Sequence, residues 1–399
     1  MDILFLGYTV PKECAYVFSG ASIAGNKMQW NLVHHLGKID DIKICCISVL
    51  PIATWPHDTI FSRSQVLKLD ERITSNAVSF CNLPILKQIS QAGSVYMKAR
   101  KYIKEHPDAI VLSFNLFPQI GIPMRILKQQ YPKIKTVSLL ADLPIDDTKG
   151  QRSVLSKMLR RLFDQSTWKS ISNCESFIVL NEYVAKQYLS KKTSIVIEGG
   201  VDEDDLNTVT IGHKKNEKRN IVFAGALTEY NGITVLIDAV GRLPSDNIIL
   251  DIYGDGPLKA YVQNAANKDK RLHYHGRVAN DIVLRAQKSA WLLINPRKTD
   301  DLISKVTFPS KTFEYMLSGT PVLSTKLNGY SQEYLEHMFI AEDDTAEGIA
   351  KEIHRIECFP REILQKKADN ARNFIIKNKS WKIQALNIYN FLCYIDKNK

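Results

Sequence analysis

The chain has 399 residues, of which 45% are hydrophobic and 24% charged, and a formal net charge of +11. This length exceeds what one ordinary hydrophobic core supports and predicts two domains, and the composition excludes a disordered protein. There is no apolar run of about eighteen residues to span a membrane, and the first residues lack the basic region and cleavage site of a secretory signal. We therefore expect a cytoplasmic protein.

The cysteines indicate the compartment of the protein, and the charge indicates the kind of partner that it binds. The seven cysteines are odd in number and form no CxxC pair, which favours buried thiols in a reducing compartment. The positive charge favours an acidic partner. Zinc-finger spacing, an RNP-like strand and a basic-region zipper are all missing, so we expect no nucleic acid partner. Anionic lipid and phosphorylated substrates remain.

Strands and helices alternate through the first half of the chain. A short apolar strand at 3–7 is followed by a loop and by a helix at 23–37, the usual start of an open α/β sheet. Residues 51–90 show no clear periodicity and are predicted as an irregular insertion that helps to form a substrate wall. The other elements predicted in this half are strands at 42–50, 109–114, 134–140, 176–180 and 194–197 and a helix at 95–105.

Two loops in this half could carry function. Gly20, Ala21 and Ser22 precede the first helix, where small residues and a hydroxyl cap let an anion approach the backbone; plain turn chemistry explains them equally well. Asp142 follows the strand at 134–140, at the sheet edge where ligands gather, although a lone Asp in this position often serves only as a cap or turn residue.

Residues 149–169 predict a basic amphipathic helix. Lys and Arg outnumber Asp and Glu by six to one in this segment, and an apolar stripe follows the helical repeat. Such a helix can lie on an anionic membrane surface. The alternative is a helix that packs on its own sheet and exposes a solvated basic face.

A polar stretch divides the chain. We predict an N-terminal Rossmann-like domain at 1–205, a linker at 206–218, a second Rossmann-like domain at 219–375 and a C-terminal helix at 376–399 that packs back on the first domain. The second half repeats the alternation of strands and helices, so the fold class is α/β, with two doubly wound domains facing across a cleft. Asp202 and Asp204 match a bare Asp-x-Asp pattern, but no further ligand supports a metal there.

The segment from Arg297 to Thr325 predicts a loop, a short helix and a strand. Phe313, Met316 and Leu317 are spaced to bury one helix face against a sheet, while Lys311 and Glu314 lie on another face. A lysine in a first helical turn is unfavourable unless an anion docks beside it, and a nearby carboxylate can accept hydrogen bonds from a ribose diol. A plain surface ion pair is the alternative.

Five short motifs in this order resemble the retaining family-four glycosyltransferases of the GT-B fold, particularly a branch that assembles bacterial surface polysaccharides. The first half matches more loosely, through the loops at 20–22, 141–144 and 199–202. The five motifs are Phe223-Ala224-Gly225-Ala226-Leu227 with Asn231-Gly232, Tyr253-Gly254-Asp255-Gly256-Pro257, His275-Gly276-Arg277, Asn295-Pro296-Arg297 and the segment 308–323.

The resemblance implies transfer of a sugar from a nucleotide-sugar donor to a glycan or lipid-linked acceptor, with retained anomeric configuration and without a metal or other cofactor. It places Glu314 on the donor ribose, Gly225 and its turn on the diphosphate, Arg277 at the nucleobase and Asp142 near the reacting sugar. The donor-binding residues implied are Gly20, Ala21, Gly225, Asn231, Gly254, Arg277, Phe308, Ser310 and Glu314.

The chain departs from the family pattern where positive charge is expected. The family's arginine, lysine, first glutamate and histidine correspond to Ala226, Asn231, Val306 and Ala141. A diphosphate leaving group needs cations or an array of donors. Lys311 and Arg297 are therefore predicted to supply the missing charge, and with Asp142 they form the predicted catalytic set.

Two other functions fit the same sequence. A nucleotide-sugar epimerase or phosphorylase uses the same architecture, and a catalytically silent scaffold at the inner face of the plasma membrane would explain the lost charges. A periplasmic sugar receptor is disfavoured because it needs a signal peptide.

Overall fold

The computed structural model describes residues 1–145, 154–202, 219–244 and 247–397. It divides into two compact units. Unit 1 comprises Met1–Gly199 and Trp381–Lys399, and unit 2 comprises Gly200–Ser380. The predicted linker at 206–218 lies outside the described residues.

Unit 1 is built on an eight-stranded sheet in the order β10-β9-β8-β7-β1-β2-β5-β4. Its strand pairs are parallel except β4 with β5. The central strands are apolar and buried throughout, as expected where both faces of a parallel sheet are covered. The strands of unit 1 are β1 (Asp2–Gly7), β2 (Lys43–Ser48), β3 (Phe61–Ser62), β4 (Gln65–Lys68), β5 (Thr74–Ala77), β6 (Phe80–Cys81), β7 (Ile110–Phe114), β8 (Lys135–Leu140), β9 (Ser176–Val179) and β10 (Thr193–Val196).

The helices of unit 1 form two groups. In one, α1 contacts the C-terminal helix; in the other, α3 contacts both α2 and α4. A 3-10 helix, Lys12–Val17, precedes α1. The α-helices are α1 (Ile23–Leu36), α2 (Leu86–Glu105), α3 (Pro118–Gln130), α4 (Val154–Asn173) and α5 (Glu182–Tyr188).

The prediction of an irregular insertion at 51–90 was wrong. β4 and β5 extend the main sheet, β3 pairs with β6, and α2 begins at Leu86 rather than at 95. These strands are short and partly polar; the buried hydroxyls of Ser75 and Ser48, for example, hydrogen-bond across β5 and β2 at 2.6 Å. Because buried positions in these strands carry paired polar groups, the sequence lacks the apolar alternation from which strands are predicted.

Unit 2 is built on six parallel strands in the order β13-β12-β11-β14-β15-β16. Its strands are β11 (Arg219–Ala224), β12 (Ile248–Tyr253), β13 (Leu272–Gly276), β14 (Leu292–Asn295), β15 (Val322–Ser324) and β16 (Phe339–Ile340). Its helices are α6 (Ile233–Arg242), α7 (Lys259–Lys268), α8 (Asn280–Ser289), α9 (Leu302–Val306), α10 (Lys311–Leu317), α11 (Gln332–His337), α12 (Ala346–Glu357) and α13 (Arg361–Asn378).

Two predictions for unit 2 are confirmed by burial. Its core joins β11, β12 and β14 to α6 and α12 in one apolar cluster, as the alternation of strands and helices predicts. Phe313, Met316 and Leu317 are all buried, so α10 presents the predicted face to the interior. Because this face is packed against the core, the orientation of α10 is set, and with it the position of Lys311 at its first residue.

The last helix, α14 (Trp381–Lys397), packs within unit 1. Gln384 donates a hydrogen bond to the carbonyl of Gly199 at 2.9 Å, and the Lys135 ammonium pairs with Asp396 at 2.6 Å. Trp381 and Ile388 are buried. Within the described ranges, no helix combines the length and the apolar character that crossing a membrane requires.

Candidate functional site

Three glycine turns lie side by side at the carboxyl ends of β11, β12 and β13. The amide of Gly225 donates to the carbonyl of Tyr253 at 2.9 Å, and the amide of Gly254 donates to that of Gly276 at 2.8 Å. Gly254 has φ +140°, and a Cβ atom there would lie 1.8 Å from the Gly225 oxygen, so glycine is required. The predicted donor-binding glycines of unit 2 therefore form one continuous backbone surface.

Lys311 reaches this surface from the start of α10. Its ammonium donates to the carbonyl of Ala224 and lies 3.4 Å from where a Cβ atom of Gly225 would be. Burial lowers the pKa of Lys311 to about 8, while the charge of Glu314 acts in the opposite direction. The structure thus holds a partly dehydrated cation beside the glycine turns, where a bound anion would stabilise its charged form.

Tyr315 secures the same point of β11 and was missed by the sequence analysis. Its hydroxyl accepts a hydrogen bond from the amide of Ala224 at 2.9 Å and is fully buried. Lys311 and Tyr315 are four residues apart, so both lie on the face of α10 that meets the end of β11. The four-residue spacing of Lys311 and Tyr315 after Pro309 could have indicated from the sequence that Tyr315 lies beside Lys311.

Arg297 supplies a second buried cation. It follows β14, and its guanidinium donates to the Thr307 hydroxyl at 3.2 Å and lies 5.2 Å from the centre of the Tyr230 ring. Its Nε atom is buried and has no hydrogen-bond partner among the described residues. Burial lowers the pKa of Arg297. Both cations predicted from the missing family charges are therefore desolvated in this unit.

The loop after β11 is fitted against the loop that carries Arg297. Gly232 has φ +73°, and a Cβ atom there would lie 1.8 Å from the carbonyl oxygen of Pro296. The side chain of Asn231 donates to the carbonyl of Ala226 at 2.8 Å. Asn231 thus holds the turn after Gly225 in shape through a neutral hydrogen bond.

The remaining predicted donor residues of unit 2 differ in exposure. Glu314 is half-buried one turn after Lys311, and Ser310 and Arg277 are exposed. The Phe308 side chain is buried, with its ring 5.0 Å from that of Phe313 and also packed on Tyr330 and Tyr334. Only the backbone of Phe308 is thus placed to meet a ligand.

Unit 1 has its own cavity, of about 410 Å³, at the carboxyl edge of its sheet. Gly20 and Ala21 line it, and the Gly20 amide donates to the carbonyl of Pro51 at 2.9 Å. A Cβ atom on Gly20 would lie 3.0 Å from the Ile52 backbone, which leaves little room for a larger residue. Polar side chains in the lining include Tyr8, Asn26, Gln29, Lys87, Asn115, Gln119 and Asp142.

Asp142 lies in this cavity and is held by Asn115. The side-chain oxygen of Asn115 accepts from the amides of Ala141 and Asp142 at 2.8 and 3.0 Å, and its nitrogen donates to the Asp142 carboxylate at 3.0 Å. Asn115 has φ +57°, a conformation that asparagine tolerates better than most residues. Burial raises the pKa of Asp142, and the Asn115 hydrogen bond opposes that shift.

Asn115 and Tyr8 were not predicted from the sequence. Asn115 directly follows β7, the same signal that singled out Asp142 after β8. The burial of Tyr8 raises its phenol pKa, and its hydroxyl faces Gln119. Both residues come close to Asp142 only through the sheet order, in which β7 lies between β8 and β1.

The predicted basic helix corresponds partly to α4. Residues 149–153 of that prediction lie outside the described residues. In the described part, Met158, Leu159 and Leu162 are exposed, at 60%, 38% and 53%. An exposed apolar stripe among basic residues is compatible with a surface partner.

Comparisons with known proteins add a family match. Residues 218–357 match the family described as Glycosyl transferases group 1. This range contains the three glycine turns, Arg297 and α10. No curated protein sequence matches the chain.

Solved structures resemble the whole chain at low sequence identity. Sucrose-phosphate synthase from Thermosynechococcus elongatus superposes with a TM-score of 0.69, at 14% identity and with 100% of both chains covered. HepE from Anabaena, solved in complex with UDP, gives 0.66 at 15% identity, with 99% of this chain and 100% of that one covered. The lipopolysaccharide outer core galactosyltransferase WaaB gives 0.65 at 14% identity and covers 98% and 99%. The predicted fold class, α/β with two Rossmann-like domains of the GT-B type, is confirmed.

Proposed function

We propose that the protein is a glycosyltransferase that moves a sugar from a nucleotide-sugar donor to an acceptor hydroxyl with retained anomeric configuration. The observation that carries the proposal is the buried ammonium of Lys311 at the end of β11, against glycine turns within the family-matched range. A desolvated cation beside glycine turns that carry no side chains is suited to a diphosphate. The UDP in the HepE structure supports a nucleoside diphosphate as the leaving group.

Charge neutralisation is the main task that we assign to unit 2. As the sugar–phosphate bond breaks, negative charge grows on the diphosphate, and Lys311 and Arg297 balance it. Such preorganised donors need no reorganisation during the reaction because packing already holds them. We assign no metal to this step. In a front-face route the leaving phosphate takes the proton of the acceptor hydroxyl, so no separate base is needed.

We assign recognition of the donor's nucleoside to residues around the same turns. Glu314 accepts hydrogen bonds from the ribose hydroxyls, since it is half-buried and lies one turn beyond Lys311. The turn at Gly276 and Arg277 contacts the nucleobase. Ser310 and the Phe308 backbone border the sugar-phosphate.

The cavity of unit 1 is our candidate for the acceptor side. Its lining offers neutral amide and phenol groups, which suit hydroxyl-rich ligands; the Lys87 ammonium donates to the carbonyl of Ile52, and Asp142 is oriented by Asn115. We assign Asp142 to the reacting sugar or the acceptor hydroxyl, and Gly20 and Ala21 to the donor diphosphate. A glycan or lipid-linked acceptor in cell-surface glycan assembly, with α4 on an anionic membrane, fits the exposed apolar stripe of α4.

A donor screen tests the proposal. Purified protein is incubated with each common nucleotide sugar and a panel of glycan and lipid-linked acceptors, and released nucleoside diphosphate is measured. We expect release with one donor and only when an acceptor is present. Product without acceptor would favour an epimerase or phosphorylase, and a complete lack of diphosphate binding in calorimetry would favour a silent scaffold.

A further inference from the structure

Three potential metal ligands converge on one face of the unit 2 sheet. His273 and His275 are separated by one residue on β13 and therefore point to the same face. Asp251 on β12 is the register partner of His273. One ligand atom from each of these three residues lies within 4.8 Å of the other two. We propose that Asp251, His273 and His275 bind a divalent transition-metal ion such as Zn²⁺.

The distances fit such an ion after a small adjustment. Asp251 Oδ1 lies 3.4 Å from His273 Nδ1 and 2.8 Å from His275 Nε2. Two ligands at typical zinc bond lengths and tetrahedral angles are about 3.4 Å apart. The first pair already has this separation, the second must open by about half an ångström, and the ligand atoms of the two histidines lie within 4.8 Å of each other. The fourth position would hold water.

The surroundings favour metal access and a defined geometry. The opposite face of these strands is apolar core, with Leu250, Ile252 and Leu272 buried, whereas the side chains of His273 and His275 are 46% and 37% exposed. The Tyr253 ring stacks on His275 with centroids 4.4 Å apart and planes within 7°. This stack limits rotation of the imidazole, so less entropy is lost when the metal binds.

The donor set selects the class of metal. Two imidazoles and one carboxylate suit Zn²⁺, Co²⁺, Ni²⁺ and Cu²⁺, whereas Mg²⁺ and Ca²⁺ prefer sites composed of oxygen ligands. The site is separate from the residues assigned to the diphosphate, and its occupancy does not depend on the proposed transferase activity.

Isothermal titration with ZnCl₂ in excess Mg²⁺ tests the site. The exposed thiols Cys14 and Cys358 could compete for zinc, so the titration uses the full-length protein with Cys14→Ser and Cys358→Ser. We expect saturable binding of one equivalent. His273→Ala and His275→Ala should each weaken binding at least about tenfold, because even the loss of an outer-shell partner commonly costs ten- to a hundredfold.

The matched control is His354→Ala. His354 is also exposed and lies 3.4 Å from a carboxylate, that of Glu357, but it has no place in the three-residue group. We expect its zinc affinity to be unchanged. Far-UV circular dichroism should be the same for all variants, because every altered histidine is exposed. Unaltered one-equivalent binding in the His273→Ala/His275→Ala double variant, or no saturable binding by the parent protein, would overturn the proposal.

Discussion

The carboxyl edges of the two sheets differ in the charged groups that they hold. In unit 2, Arg297 is buried and Lys311 is half-buried, and desolvation lowers the pKa of both. In unit 1, the cavity is lined by Asp142, whose carboxyl pKa desolvation raises, and by Lys87, whose ammonium donates to the carbonyl of Ile52, among neutral amides and a phenol. In the absence of a ligand, desolvation therefore disfavours the charged forms of Lys311, Arg297 and Asp142. We propose that the unit 2 edge binds an anion and that the unit 1 edge binds hydroxyl groups.

Loss of the cation at the unit 2 edge should have the largest effect. We expect Lys311→Ala to lower turnover at least about a hundredfold, because removing one donor from an oxyanion site costs roughly 2.7 to 4 kcal/mol. Steady-state release of nucleoside diphosphate measures this. Thermal unfolding serves as the control and should remain cooperative. Normal turnover in Lys311→Ala would show that Lys311 has no catalytic role and would contradict the proposed difference between the two edges.

Backbone shape at the same edge should matter nearly as much. Gly254→Ala places a Cβ atom 1.8 Å from the Gly225 oxygen. We therefore expect the unfolding free energy to fall by about 2 to 3 kcal/mol. We also expect nucleotide binding to weaken. Urea unfolding and calorimetry measure the two effects. Gly241→Ala in α6 is the matched control, because its added Cβ meets no atom within 4 Å. It should stabilise slightly; equal damage by both changes would show that the turn is not special.

Lys311→Met should separate stability from function. The pKa of Lys311 is lowered to about 8 from 10.5, so between these values the unfolded chain binds more protons than the folded one, and stability rises with pH. Below pH 8 the buried charge costs its full amount. We therefore expect Lys311→Met to raise the unfolding free energy by about 1 to 3 kcal/mol at pH 7 and the gain to disappear above pH 10.5. Urea unfolding across this pH range measures it.

Two results would limit that interpretation. A gain that stays constant from pH 7 to pH 11 would mean that packing rather than charge explains the stabilisation. Retained donor turnover in Lys311→Met would show that the cation contributes only to the structure.

The smallest effect is expected at the unit 1 edge. Asp142→Asn should lower transfer about tenfold because the amide keeps the shape but loses the charge of the carboxylate and one of its hydrogen-bond acceptors. Affinity for nucleoside diphosphate, measured by calorimetry, should be unchanged. A matching loss of diphosphate affinity would mean that the two edges do not divide the task as proposed. Asn115→Asp is the comparison variant, because it removes the hydrogen bond that the Asn115 amide donates to the Asp142 carboxylate.

Much of the fold could be predicted because its strands are apolar and bounded by glycine turns. The order of motifs likewise placed Gly225, Gly254, Arg297 and Lys311 at one edge, since the carboxyl ends of parallel strands meet there. The polar strands β4 and β5 could not be found in this way, because their polar side chains are paired in the sheet. Asn115 was missed because its role depends on a left-handed backbone and on the neighbouring strand.

The depressed basicity of Lys311 has a consequence for measurements on the resting protein. At pH 8 about half of these side chains are unprotonated before any ligand arrives. A diphosphate that requires the charged form must then draw hydrogen ions from the buffer as it binds. The apparent enthalpy of association should therefore change with the ionisation heat of the buffer, and the slope of that dependence counts the protons taken up.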